Sequence, residues 1–89
     1  MKRILQTSQF KRDIKKAKKR GKDIEKLKRI VSCLVQGIPL DQKYKDHPLI
    51  GQWSKSRDCH IEPDWILIYT PRNEEIILER IGSHSDLFF

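Results

Sequence analysis

The chain has 89 residues, 37% of them hydrophobic and 35% charged, with a formal net charge of +7. A chain of that length forms one compact domain, residues 1–89, whose thin core hides roughly 60 to 65% of the unfolded surface. No segment approaches the roughly 20 apolar residues of a membrane span, Met1 to Gln6 lacks the apolar stretch of a signal peptide, and Cys33 and Cys59 form no CxxC pair; a reduced cytoplasmic protein with no membrane partner is expected, and a disulfide scaffold is excluded.

The charge is lopsided. Residues 1–29 hold 13 of the 19 lysines and arginines but only Asp13, Asp23 and Glu25 among the acids, whereas the remaining residues hold six basic and nine acidic side chains. A basic lobe attracts polyanions through counterion release, which favours a nucleic-acid partner; the same lysines would equally serve as a solvated helix face.

In chain order, residues 2 to 6 form a short strand, and Thr7-Ser8 offers an N-cap to a first helix over about 8 to 20. Phe10, Ile14 and Ala17 share one face of that helix, and Lys11, Lys15, Lys16, Lys18, Lys19 and Arg20 spread over the others. Gly21 ends the first helix in the left-handed conformation, and Asp23 caps a second in which Ile24, Leu27, Ile30, Val31, Leu34 and Val35 repeat at helical spacing until Gly37 and Pro39 stop it. A polar connector, Asp41 to Gly51, leads to three strands: Trp53 to His60, the strongly apolar Trp65 to Tyr69, and, after turn chemistry at Thr70 to Asn73, Glu75 to Ile81. Three consecutive strands predict an antiparallel meander. The expected architecture is therefore α+β, in the order β-α-α-β-β-β, with a helical hairpin packed on one face of an antiparallel sheet and a short C-terminal tail.

The chemistry-bearing residues fall in the second half. His47, His60 and His84 have spacings that match no Cys/His zinc pattern, so no metal site and no cofactor are expected. Imidazole exchanges a proton near neutral pH, which suits a reaction that takes a proton from one oxygen and delivers one to another. Cleavage within an RNA strand is such a reaction, because the ribose 2′-hydroxyl attacks the neighbouring phosphate while an acid protonates the departing 5′-oxygen. Each candidate also has a structural reading: His47 as a solvated loop residue, His60 as a hydrogen-bonded strand-end residue, His84 within a short helical turn framed by Ser83 and Asp86. Asp64, before the apolar strand, either caps that strand or pairs with Arg57 or Arg80, or else orients a histidine or acts as a base. Arg80, on the parity of Ile76 and Leu78, ends an apolar row with its head either beside a phosphate or in a salt bridge. Of the terminal Leu87-Phe88-Phe89, one aromatic is expected to dock in the core and the other to stack on a nucleobase.

The stretches Tyr44 to Leu49, Gly51 to Trp53, Arg57 to Tyr69 and Glu79 to Phe88, with their His-Pro-Leu, His-x-x-Pro-Asp-Trp and Gly-Ser-His blocks, resemble the YafQ toxins of the RelE/ParE superfamily over nearly the whole chain. The resemblance implies the RelE-like fold and a metal-independent endoribonuclease toxin that cleaves mRNA in the A site of the 70S ribosome and is silenced by a cognate DinJ-like antitoxin. It implies that His47, His60, Asp64 and His84 are catalytic, with His84 favoured as acid and Asp64 or His60 as base. Trp65 and Phe88 are implied to flank the substrate, and Asp58 and Arg80 to be supporting polar groups. It also makes Lys11, Lys15, Lys16, Lys18, Lys19 and Arg20 a surface for ribosomal RNA, and the extra Phe89 departs from the family's ending. Two other readings stand beside it. One is a basic nucleic-acid-binding module without catalysis; the other is a ParE-like toxin directed at DNA gyrase, against which the three histidines argue.

Overall fold

The computed structural model describes residues 1–88; Phe89, the second of the terminal aromatics, lies outside the described residues. The elements are β1 (Arg3–Gln6), α1 (Ser8–Lys19), α2 (Ile24–Gln36), β2 (His47–Pro48), β3 (Arg57–Glu62), β4 (Trp65–Pro71), β5 (Glu75–Gly82) and α3 (His84–Phe88), with single 3-10 turns at Gln42–Tyr44 and Gly51–Trp53.

Local chemistry sets the helix limits. Thr7 caps α1 by accepting from the Phe10 amide, Asp23 caps α2 by accepting from the Glu25 amide, and Gly37 ends α2 at φ 72°, where a side chain would be strained. The two helices bury Phe10 and Ala17, and Leu27, Ile30, Val31 and Val35, against the sheet side chains Cys59, Ile61, Trp65, Leu67, Tyr69, Ile76, Leu78 and Ile81. Ile66 and Ile68, on the other face of β4, pack with Leu87 of α3 and with Leu49 and Trp53. β4 is thus covered on both faces, which explains why it reads as an unbroken apolar run.

The sheet departs from the expected one in three ways. Its strand order is β1-β5-β4-β3-β2 and it is mixed, because β1 pairs parallel with β5 (Arg3↔Glu75 to Gln6↔Leu78) while the other pairs are antiparallel. That direction brings Thr7 to Leu78 and Glu79, where its amide and hydroxyl both donate to backbone carbonyls, and lets α1 continue along the rest of β5. The strand expected from Trp53 begins only at Arg57, since Gly51, at φ 71°, opens a turn that lays Trp53 over Ile66 and Ile68. The tail is the helix α3, which lies on the face opposite α1 and α2, so not all helices share one side.

Where β1 stops, α1 takes over the edge of β5. Asp13, buried among the apolar residues of α1, accepts from Arg80 through Nε and Nη2 (both 3.0 Å), from the Ile81 amide (3.1 Å) and from Gln9 (3.0 Å). Burial pushes this carboxyl's pKa up, but the donors from Arg80, Gln9 and Ile81 outweigh it and hold it below its ordinary value. Because the folded-state pKa is depressed, the stabilisation is present above the unfolded value near pH 4 and is lost as pH falls through the folded value. Asp13→Ala should therefore cost about 3 kcal/mol in urea denaturation at pH 7, and its deficit relative to the parent should shrink as the pH is taken below about 4. A deficit that does not change with pH would count against an ionised Asp13.

Candidate active site

Alternation along β3 sends Cys59 into the helix-side core and turns Asp58 and His60 to the other face, the face of their cross-strand partners Ile68 and Ile66. β2 pairs with β3 at His47↔Asp58, and this pairing delivers His47 to the same place. Its Nδ1 stands 2.5 Å from Oδ1 of the buried Asp58, a close contact outside hydrogen-bond geometry, for that oxygen has no hydrogen-bond donor among the described residues.

The third histidine arrives from the far end of β5. α3 begins at His84 because Ser83 and Asp86 cap each other: the Ser83 amide donates to Asp86 Oδ2 (3.0 Å) and the Asp86 amide to Ser83 Oγ (3.1 Å). Asp86 is also held by Arg20 (2.7 Å) and Lys16 (3.3 Å) of α1. Asp64, in the turn between β3 and β4, then fixes His84 twice, since its Oδ1 accepts from the His84 amide and contacts the ring Nδ1, each at 2.9 Å. The result is a row of imidazoles. His60 stands between the other two, its ring centre 6.5 Å from that of His47 and 5.5 Å from that of His84, and Phe88 continues the row 6.1 Å beyond His84.

The two carboxylates that touch this row sit in opposite environments. Burial pushes the Asp58 carboxyl upward from its ordinary value, while the charges of His47, His60 and His84 pull it partly back. Asp64 is held below its ordinary value, first by the His84 amide and then by the His84 ring. With Nδ1 of His84 engaged by Asp64, Nε2 is the ring nitrogen left to exchange a proton with a ligand.

The structure brings His47, His60, Asp64, His84, Asp58 and Phe88 together, and it gives two of the expected residues other surroundings. Trp65 is only 2% exposed and packs in the helix-side core beneath Lys22, so it offers no face to a substrate; it follows the alternation of β4 and shares the core face with Leu67 and Tyr69. The Arg80 head is held in the forked contact with Asp13, the salt-bridge option of the two that its position allowed. Asp64 pairs with neither Arg57 nor Arg80, since Arg57 is bound to Asp46 at 3.1 Å. Of the basic residues on α1, Lys11, Lys15, Lys18 and Lys19 are exposed, while Lys16 and Arg20 contact Asp86.

Two supporting residues, Asp46 and Asp13, escaped the sequence reading, whereas Asp86 was read there as the capping partner of Ser83. Asp46 accepts from Tyr69 Oη (2.6 Å) and from Arg57, tying the connector that carries His47 to the sheet. Asp13 and Asp86 together fix the end of β5 and the start of α3. For Asp13 a signal existed, an acid set between Phe10 and Ala17 on the apolar face; Asp46 had only its place beside His47.

Fold and site together define a small mixed α+β protein with a row of acid-base side chains on the sheet face away from its two long basic helices. The chain belongs to the YafQ family of bacterial toxins from type II toxin-antitoxin systems, whose family model matches residues 2–89. It is 47% identical over 83 residues to the mRNA interferase toxin YafQ of Escherichia coli strain K12, covering 92% of this chain and 90% of the relative. The crystal structure of the E. coli DinJ-YafQ complex contains a chain that superposes with a TM-score of 0.93 at 44% identity, covering 100% of both chains. A metal-bound toxin from Helicobacter pylori superposes with a TM-score of 0.93 at 40% identity, covering 99% of this chain and 100% of that one.

Gly82 is where strand and helix meet most closely, for a Cβ built there would lie 2.9 Å from Cβ and 3.0 Å from Oδ2 of Asp86. Gly82→Ala should push α3, and His84 with it, away from Asp64. The expected cost is about 1 to 3 kcal/mol of stability and a fall in activity of roughly a hundredfold, read by denaturant titration and by RNA cleavage on the same preparation.

Proposed function

We propose that this chain is the toxin of a type II toxin-antitoxin pair and an endoribonuclease that cuts mRNA by acid-base catalysis. The observation that carries the reading is the imidazole row, in which His60 and His84 stand close enough to serve two oxygens of one phosphodiester. His60 takes the proton of the ribose 2′-hydroxyl, the oxygen attacks phosphorus, and His84 delivers a proton from Nε2 to the departing 5′-oxygen. The strand ends as a 2′,3′-cyclic phosphate on one side and a 5′-hydroxyl on the other. Asp64 holds His84 by its amide and Nδ1, which favours the positioning role for this carboxylate and leaves the base role to His60. His47, backed by Asp58, donates to the phosphate oxygens as charge grows on them. Phe88, 40% exposed, is placed to stack on a base beside the scissile bond.

Two parts of the reading concern partners. The E. coli relative is seen with DinJ, so a DinJ-like antitoxin is the partner proposed for this chain. The message is met in the A site of the 70S ribosome, with the exposed lysines of α1, Lys11, Lys15, Lys18 and Lys19, facing ribosomal RNA. No helix among the described residues is long and apolar enough to cross a membrane.

Induction in bacteria should arrest growth and produce discrete mRNA ends within reading frames. His84→Ala should lower cleavage by about 10² to 10⁴-fold and Asp64→Ala should abolish the arrest, both with the fold retained by circular dichroism. Growth arrest with intact mRNA would sink the proposal. The acid-base route needs no metal, so cleavage should survive dialysis against EDTA; loss on chelation with recovery on adding a divalent ion would point instead to a metal-activated oxygen.

A further inference from the structure

A second feature begins at the same histidines and runs the other way. β2 pairs only with Arg57 and Asp58, so from Cys59 onward the outer edge of β3 has no strand partner among the described residues. The space beside that edge, between α2 and the turn at Gln42–Tyr44, is an open groove of about 850 Å³ that reaches His60 and His84 at one end. Its walls carry Lys26 and Arg29 from α2 and Lys43 and Lys45 from the turn, against a single acid, Glu62. Glu62 is already engaged by Lys22 and Lys26, at 3.2 and 3.0 Å. Arg29, Lys43 and Lys45 form no ion pair among the described residues; Lys43 lies 5.2 Å over the Tyr44 ring. Lys45 adopts φ 50°, the one non-glycine residue with positive φ among the described residues. A lysine held in that region is uncommon, and here it ends the turn that forms one wall of the groove.

We infer that this groove holds the backbone of the RNA strand on one side of the cut, with Arg29, Lys43 and Lys45 each neutralising a phosphate. The inference rests on the nuclease reading and adds to it a path for the substrate. Three unpaired cations along an open channel suit a flexible single strand, because each phosphate can settle on its own partner. Continuity with His60 and His84 favours the cleaved strand over a distant ribosomal one. It also separates this surface from the lysines of α1, which do not line the groove.

The test measures binding of a fluorescent single-stranded RNA oligonucleotide by anisotropy across a salt series, in His84→Ala protein so that cutting does not interfere. Adding Arg29→Gln, Lys43→Gln and Lys45→Gln should weaken binding by about tenfold or more and reduce the slope of log K against log salt by about 2, near 0.7 for each phosphate that is no longer neutralised. The comparison variant Lys2→Gln, Lys55→Gln and Arg72→Gln makes the same change in net charge away from the groove and should keep the parent slope. With His84 intact, the groove variant should raise KM while kcat stays within about twofold. Equal weakening by the two triple variants would reduce the effect to net charge and overturn the inference. So would unchanged oligonucleotide binding, whether or not sedimentation with ribosomes falls, since that would leave the groove to ribosomal RNA or to an acidic protein segment. If the His84-intact protein cuts no RNA on ribosomes while the slope difference persists, the nuclease reading fails and the groove stands as an RNA-binding surface.

Discussion

One carboxylate, inserted where a strand would otherwise be, holds the geometry of this protein together. β1 covers the edge of β5 only as far as Leu78. Beyond it, Asp13 of α1 takes the Ile81 amide and the Arg80 fork, so the helix satisfies an edge that would otherwise be left with unpaired donors. One and two turns further on, Lys16 of α1 and Arg20 at its C-cap grip Asp86, which caps α3. The basic helix is thus clamped to both sides of the β5–α3 junction, and the position of His84 follows from that clamp. A charge taken out of water in this way is tolerated because four donors surround it; removing it would leave Arg80 and a backbone amide without partners in a buried place.

The site inherits its asymmetry from the same framework. Asp58 lies on a central part of the sheet, where burial opposes its ionisation, and Asp64 lies in an exposed turn, where hydrogen bonds from His84 favour it. Two carboxylates of one residue type therefore differ in what they hold: Asp58 presents a poorly solvated oxygen to His47, and Asp64 gives a well-ionised one to His84. His60 stands between these contacts without a carboxylate of its own at hydrogen-bond distance among the described residues. The two carboxylates thereby give His47 and His84 unlike surroundings within one small fold.

Much of this was legible in order along the chain. Apolar spacing gave both long helices to within a residue or so, Thr7, Asp23 and Gly37 marked their ends, and the run Trp65 to Tyr69 announced the central strand. The three histidines stood out because nothing in their spacing suited a metal while their chemistry suited proton transfer, and the Ser83–Asp86 capping pair was visible as a motif. Strand direction was not legible. Alternation could not say that β1 runs parallel to a strand more than 70 residues away, since side chains alternate identically in either direction. Alternation along β4 did put Trp65 on the face of Leu67 and Tyr69, and that face is the helix-side core, not the substrate side that the resemblance implied.

Sequence by itself determined the elements, the lopsided charge and the residue types available for catalysis, because propensity, capping and hydrophobic period act over a few neighbouring residues. Tertiary structure alone decided which of those residues meet. Asp64 and His84 are 20 positions apart and touch only because the β3–β4 turn and the β5–α3 junction close on one another; the Arg80 head is engaged only because Asp13, 67 positions away, reaches it. Contacts across such distances depend on strand order, register and helix docking, which are set by the packing of the whole chain.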